Sequence, residues 1–167
     1  GELGYCSPME QHLGPWQPTS IEERLDRLEY YASIQQLVAH YARALDARDM
    51  TAVADLFDPE VEVGSSGSGR AALQEWMTRL MSSMRTSVHL VGEHIIDFID
   101  ADTATGVVYC RDELERPETQ EWSVGTIQYW DDYKRIGGTW LFQRRRLHRW
   151  YLVDALDRPA HGARKGR

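Results

Sequence analysis

Three side chains carry the types that move protons to and from carbon: the carboxylates of Asp46 and Asp112 and the imidazole of His89. Asp46 closes the helical stretch "YARALDARDM", where the negative end of the helix dipole makes an acid cost about 0.3–1 kcal/mol. Such a breach of a local rule is either harmless, with the side chain solvated or capping the next segment, or it serves a site. His89 lies in "TSVHLVG", flanked by Val88, Leu90 and Val91. A histidine there is most often a satisfied core residue, but it becomes a base if a carboxylate fixes one ring nitrogen and leaves the other free. Asp112 interrupts the face that Val108, Cys110 and Leu114 should turn to a core, opposite a wet face of Tyr109, Arg111, Glu113 and Glu115. Its plain reading is a structural acid paired with an arginine of "QRRRLHR".

The elements that must hold these residues are helices early and strands late. "SIEE" puts Ser20 at an N-cap with Glu23 three residues on, a capping box. Ile21, Leu25, Leu28, Ile34, Leu37, Val38, Tyr41 and Leu45 then recur at helical spacing, as one long helix or two joined near Tyr31. "MTAVADLF" forms a short helix capped by Asp49, and "RAALQEWMTRLMSSM" a third after the flexible "GSSGSG", with "VEVG" a short strand between them. That glycine-rich run resembles a phosphate loop only superficially, since it lacks the Lys-Ser/Thr ending. Period-two patterning then predicts strands near 86–99, 104–116, 121–135 and 139–152, with hairpin turns at "DADTAT" and at Gly137-Gly138 in "RIGGTW". Three helices before a four-stranded meander predict an α+β domain in which a curved antiparallel sheet wraps round the helices and encloses a pocket.

At 167 residues and 42% hydrophobic, the chain suits a single core. Residues 1–19 read as a loose leader, 20–155 as the domain and 156–167 as a basic tail. A net charge of −7 argues against nucleic acid. No apolar run approaches a membrane span, no signal peptide is evident, and the expected location is cytoplasmic. Two cysteines and no Cys/His cluster at zinc spacing indicate neither a disulfide framework nor a metal. Trp76, with Met77, Leu80, Met81 and Met84, reads as core or pocket wall, and Tyr129 and Trp150 as aromatic surface for a pocket, a sheet interior or a subunit contact. Arg144, Arg145 and Arg146 read as charge partners, with a substrate carboxylate as the alternative.

"YARALDARDM", "SVHLVGEHIIDFIDADTATGVVYCRDEL" and "YKRIGGTWLFQRRRLHRW" resemble the SnoaL-like division of the nuclear transport factor two superfamily. Within it the pattern is most similar to bile acid 7α-dehydratases and more distantly to scytalone dehydratases. The resemblance implies a cone-shaped, barrel-like sheet and a site of Tyr41, Asp46, His89 and Asp112. Leu114, Ile127 and Tyr129 stand where scytalone dehydratases place further polar site residues, which argues against scytalone itself as substrate; here they would be substrate contacts. The resemblance further implies a cofactor-independent dehydratase acting on a bulky apolar hydroxy-carbonyl compound, steroid- or polyketide-like. His89, poised by Asp46, would be the base, and Tyr41, helped by Asp112, the acid. Isomerisation or cyclisation by the same dyad, and a non-catalytic ligand-binding or assembly domain, are the alternatives. A homo-oligomer is implied, a trimer ahead of a dimer.

Overall fold

A computed structural model describes residues 14–155 of the chain. Helix α1, Ile21–Ala47, is one continuous element with no joint near Tyr31. Its start is the expected box: Ser20 accepts from the Glu23 backbone N–H at 3.1 Å, and the Glu23 carboxylate accepts from the Ser20 N–H at 3.3 Å. The apolar repeat runs the whole helix, yet only its second half, from Ile34 to Leu45, is buried; Ile21 and Leu28 are about 70% exposed (74% and 68%). The helix ends where Arg48 turns left-handed at φ 61° and its N–H reaches back to Ala44 and Leu45. Asp49 caps α2, Met50–Asp55, by accepting from the Ala52 N–H at 2.9 Å. Helix α3, Arg70–Met81, turns Leu73, Met77 and Met81 inward.

The expected strand at "VEVG" does not form. Gly64, Gly67 and Gly69 all take positive φ and fold the chain back on itself, leaving a 3-10 turn at Gly64–Ser66 and one bridge between Glu62 and Ser68. Four strands follow, β1 Thr86–Phe98, β2 Thr103–Glu115, β3 Trp122–Ile136 and β4 Thr139–Asp154, within two residues of the expected limits. They pair antiparallel in chain order, and Gly137 and Gly138, at φ 57° and 83°, make the primed turn between β3 and β4. Register shifts at Val91/His94, Thr126/Ile127 and Asp132/Tyr133 curve the sheet so that one face closes over α1. The curved sheet over helices is the α+β cone expected from the sequence, but β1 and β4 remain separate edges, so it is not a closed barrel.

The concave face reads in cross-strand rows. Asp112 is directly opposite His89 and Gly125; Cys110 opposite Val91 and Ile127; Val108 opposite His94 and Tyr129; Gly106 opposite Ile96 and Asp131; Ala104 opposite Phe98 and Tyr133. The core lies against the last three rows, where Ile34, Val38, Val53, Phe98, Val108, Tyr133 and Phe142 are almost wholly enclosed. Residues 14–19, expected to be part of a loose leader, are docked instead. Trp16 stacks on Tyr30, its N–H donates to the Phe98 carbonyl at 3.1 Å, and its own carbonyl accepts from Arg27 at 3.0 Å. Residues 1–13 and the basic tail from 156 lie outside the described residues. No helix described is long and apolar enough to cross a membrane.

Candidate active site

The end of α1 delivers Asp46 to β1. Its Oδ1 lies 2.7 Å from His89 Nδ1 and accepts from Ser87 Oγ at 2.9 Å, while Oδ2 accepts from the His89 backbone N–H at 2.9 Å. Arg48 steadies this corner by donating to Ser87 Oγ at 2.6 Å and to the Leu45 carbonyl at 2.8 Å. The acid at the negative helix end is thus compensated by three donors and a neighbouring cation. Burial alone would raise the Asp46 carboxyl, but the side-chain and backbone hydrogen bonds from His89, with its charge, outweigh it and hold the group below its ordinary value. With a carboxylate on Nδ1, the ring takes the tautomer that leaves a lone pair on Nε2. Nε2 makes no hydrogen bond to a described residue.

Asp112 shares the face of His89 as its cross-strand partner, at the distance of directly opposed side chains, roughly 5 Å between Cβ atoms. Both of its oxygens accept from Arg149, at 3.0 and 2.7 Å. Asp112 is therefore the buried half of a bidentate ion pair, as the plain reading of "QRRRLHR" has it, and its oxygens are engaged as acceptors. The helper proton donor expected of it would have to act from within this pair. Glu115, read as part of a wet face, is also enclosed: it accepts from Thr86 Oγ1 at 2.6 Å and lies 3.6 Å from Arg85, because the strand end is covered by its β1 neighbours.

Arg149 reaches Asp112 across β3 only because residue 125 lacks a side chain. A Cβ there would stand 2.4 Å from Arg149 Nη1 and 2.6 Å from Asp112 Oδ1. Gly125→Ala is expected to lower stability by about 1–3 kcal/mol through overpacking, seen as a lower urea midpoint. An unchanged midpoint would show that Arg149 moves aside at no cost.

Tyr41 does not join this group. The α1 helix keeps its turn to Ala47, so Tyr41 and Asp46, about 140° apart at ~100° per residue, diverge. Tyr41 points between β3 and β4, where its ring meets Phe57, Tyr129 and Phe142. There it lines a cavity of about 1100 Å³ together with Trp76, Met77, Leu80, Tyr129 and Arg145. Burial raises the Tyr41 phenol above its ordinary value, with Arg145 opposing, so it remains protonated. Of the expected contacts, Trp76 and Tyr129 line this cavity. Ile127 is enclosed in the core between the two groups, and Leu114 sits beside Ser87 on the strand. Trp150 lies elsewhere, 59% exposed on the outer sheet face in a shallow hollow with Trp130 and His148.

The cavity floor holds a second polar array that the sequence reading missed. Arg145 pairs with Asp131 through Nε at 2.8 Å and Nη2 at 2.6 Å, and Asp131 also accepts from the Tyr133 hydroxyl at 2.7 Å. The Arg145 Cζ stands 4.1–4.4 Å from the ring centroids of Tyr41, Tyr129 and Phe142. His94 Nε2 meets the Tyr133 hydroxyl at 3.0 Å. The available signals were Gly106 and Gly125 within strands, which mark close approach of a neighbour, and Asp131 at an inward position.

Burial lowers His94 to about 4; the Asp131 carboxylate opposes this and Arg145 adds to it. A histidine kept neutral by the fold contributes stability above its unfolded value of about 6.5, and that contribution falls away as pH drops from there toward 4. His94→Gln is expected to flatten the loss of stability across that window in acid titrations; an identical slope would refute the assignment. Cys110, buried beside this row, has its thiol pushed up to about 12 by burial and the nearby Asp112, and is not a nucleophile. Among the described residues no three His, Cys, Asp or Glu side chains gather as metal ligands.

A family model described as a SnoaL-like domain matches residues 26–146. No curated protein matches the chain. Among solved structures, a hexachlorocyclohexane dehydrochlorinase, LinA-type3 from Novosphingobium barchaimii LL02, is 20% identical with a TM-score of 0.72, covering 80% of this chain and 94% of its own. A protein provisionally named scytalone dehydratase from Novosphingobium aromaticivorans DSM 12444 is 20% identical with a TM-score of 0.70, covering 86% and 99%. Rv3472(D26N) from Mycobacterium tuberculosis, of unknown function, is 24% identical with a TM-score of 0.63, covering 73% and 77%. At these identities the likeness is one of fold.

Proposed function

We propose a function from the premise that this chain belongs to the SnoaL-like domain family: it is a cofactor-independent enzyme that removes a carbon-bound proton from a bulky, mostly apolar hydroxy-carbonyl compound and expels water. The observation that carries this reading is the 2.7 Å contact from Asp46 to His89 Nδ1, which leaves Nε2 as a base on the concave face. Nε2 takes the proton next to the carbonyl, the electrons form the new double bond, and the C–O bond breaks. Asp46 stabilises the imidazolium so produced, and the half-exposed Arg149 guanidinium, beside His89 on its Asp112 partner, is placed to favour negative charge on the enolate oxygen. The departing hydroxyl needs a proton. The imidazolium can return the one it took.

One observation favours a second reading. Asp112 is committed to Arg149 and Tyr41 faces a different cavity, so His89 has no dedicated acid beside it among the described residues. A single base that takes a proton and gives it back elsewhere is sufficient for isomerisation or cyclisation. An elimination whose leaving group departs as an anion, such as the dehydrochlorination named for one structural neighbour, also needs only the base.

The test is to incubate the purified chain with a panel of β-hydroxy and vinylogous hydroxy-carbonyl steroids and polyketides, following product mass and conjugated-enone absorbance. Loss of 18 mass units from a panel member supports dehydration. Turnover without mass change moves the assignment to an isomerase or cyclase. Silence across the panel, with bound ligand detectable, supports a binding domain instead.

A further inference from the structure

A cation stands behind the Asp46–His89 pair. Arg48, the left-handed residue that ends α1, donates through Nη1 to Ser87 Oγ at 2.6 Å and to the Leu45 carbonyl at 2.8 Å, and through Nη2 to the Met84 carbonyl at 3.2 Å. One guanidinium thus ties the last turn of α1 to the chain leading into β1. Arginine carries donors only, so Ser87 Oγ must accept from it. The single hydroxyl proton of Ser87 then goes to Asp46 Oδ1, 2.9 Å away, the same oxygen that lies 2.7 Å from His89 Nδ1. A donor chain of one direction runs from Arg48 through Ser87 to the carboxylate and meets the ring's own donor there. Ser87 is enclosed, 3% exposed, so its bonds are not shared with bulk water and each polarises the next.

What such a chain does follows from how a carboxylate acts on a histidine. A carboxylate on Nδ1 stabilises the imidazolium, and the more negative charge it presents there, the more firmly the ring keeps a proton. A ring already protonated at the working pH cannot take a proton from carbon. Donors and a cation behind the carboxylate draw charge off Oδ1 and limit that effect. The charged groups around the ring are Asp46 and Arg48 at the end of α1, Asp112 on β2 and Arg149 on β4, the last two paired with each other. Arg85, on β1 itself, lies against Glu115, Cys110 on β2 stays a neutral thiol, and β3 brings the uncharged Gly125 to this row. Asp112 and Arg149 offset one another, which leaves Arg48 to offset Asp46. The two feel each other: burial lowers the Arg48 guanidinium, the Asp46 charge opposes that, and the group stays a cation.

We propose that Arg48 is a positioning residue for the His89 base: acting through Ser87 and Asp46, it holds the carboxylate in place and limits its charge, so that the ring stays free to accept a proton at neutral pH. This rests on the reading of His89 as the base and adds what keeps that base available.

The test is an NMR titration of the whole isotope-labelled chain without substrate, in which the ring nitrogens of His89 are assigned against His89→Gln and followed with pH. Arg48→Met keeps an apolar stem and removes the charge. Its His89 titration midpoint is expected about half to one pH unit above that of the parent, the size of one charge acting across a part-exposed corner. Arg48→Lys keeps the charge and should reverse most of that rise. Ser87→Ala removes the link and should also raise the midpoint; if Arg48→Met does not fold, this variant decides. A role confined to pinning the end of α1 would lower the urea midpoint of Arg48→Met and leave the His89 titration unmoved. That result, or a rise in Arg48→Lys as large as in Arg48→Met, would overturn the proposal. On a turned-over substrate, the acid limb of the kcat profile should move with the His89 midpoint. A midpoint that moves while the acid limb stays would remove His89 as the base and leave the action of Arg48 on the ring standing, whereas an unmoved midpoint would remove Arg48 and leave the base to its own assay.

Discussion

Replacing His89 by alanine is expected to lower kcat on a turned-over substrate about 10²–10⁴-fold, the span that a positioned general base contributes, with little change in melting temperature. The side chain's only described hydrogen bond is to Asp46, and Asp46 keeps the donors from the His89 backbone and Ser87 when the ring is removed. The carboxylate is also part exposed, at 27%, so its loss of one partner is tolerable. Asp46→Asn separates positioning from structure: an amide that donates to Nδ1 forces the proton onto Nε2 and removes the base without removing the ring. Both variants should therefore be folded and slow. A His89→Ala protein with full turnover would overturn the mechanism, whereas a slow His89→Ala beside a fully active Asp46→Asn would reduce Asp46 to a structural acid.

The second large effect concerns stability. Asp131→Ala leaves Arg145 charged, enclosed and without its bidentate partner, and breaking a buried pair from one side costs about 3–5 kcal/mol. Burial by itself would lower Arg145, yet the Asp131 charge and hydrogen bonds hold it above its ordinary value, so the cation does not escape by losing a proton. The expected result is a large fall in the urea midpoint or failure to fold. Replacing both members, as Asp131→Leu with Arg145→Met, should recover most of that loss, since apolar side chains of similar volume often match a buried pair. If the single variant is as stable as the parent, the array at the cavity floor is not a closed electrostatic unit. If the double variant is no better than the single one, packing around the three rings governs that region.

The legible parts of this chain are those decided within a few residues. The Ser20–Glu23 box, the Asp49 cap and the Gly137-Gly138 turn are local hydrogen-bonding and torsional choices, and all three occur. The strands were readable because burial alternates along them, most clearly from Ala104 to Asp112. "VEVG" misled because its alternation is real but the glycines after it turn the chain away from any ladder. For the site, residue type pointed to His89 with a carboxylate. The choice of Asp46 as that carboxylate, and the pairing of Asp112 with Arg149, are contacts across 43 and 37 residues. Tyr41 meets other neighbours than Asp46 because its angle round the helix, rather than its distance along the chain, decides what it faces. Arg145 and Asp131 were missed although Asp131 holds an inward strand position: their pairing joins two strands, and Arg145 sits in a run of three arginines of which the alternation alone does not single it out.

The meander bears on how the chain folds as well as on what it holds. Each strand pairs only with its successor, so every hairpin closes a short loop and the sheet can assemble by local steps, whereas α1 must return over a much longer loop to set Asp46 on His89. The sheet is therefore expected to form ahead of the docked helix, with the Asp46–His89 contact among the last to appear. During that interval the edge strand β1 and the apolar lining meant for α1 are both open to other chains. Refolding yield should accordingly fall with protein concentration, and catalytic competence should return later than β-sheet signal.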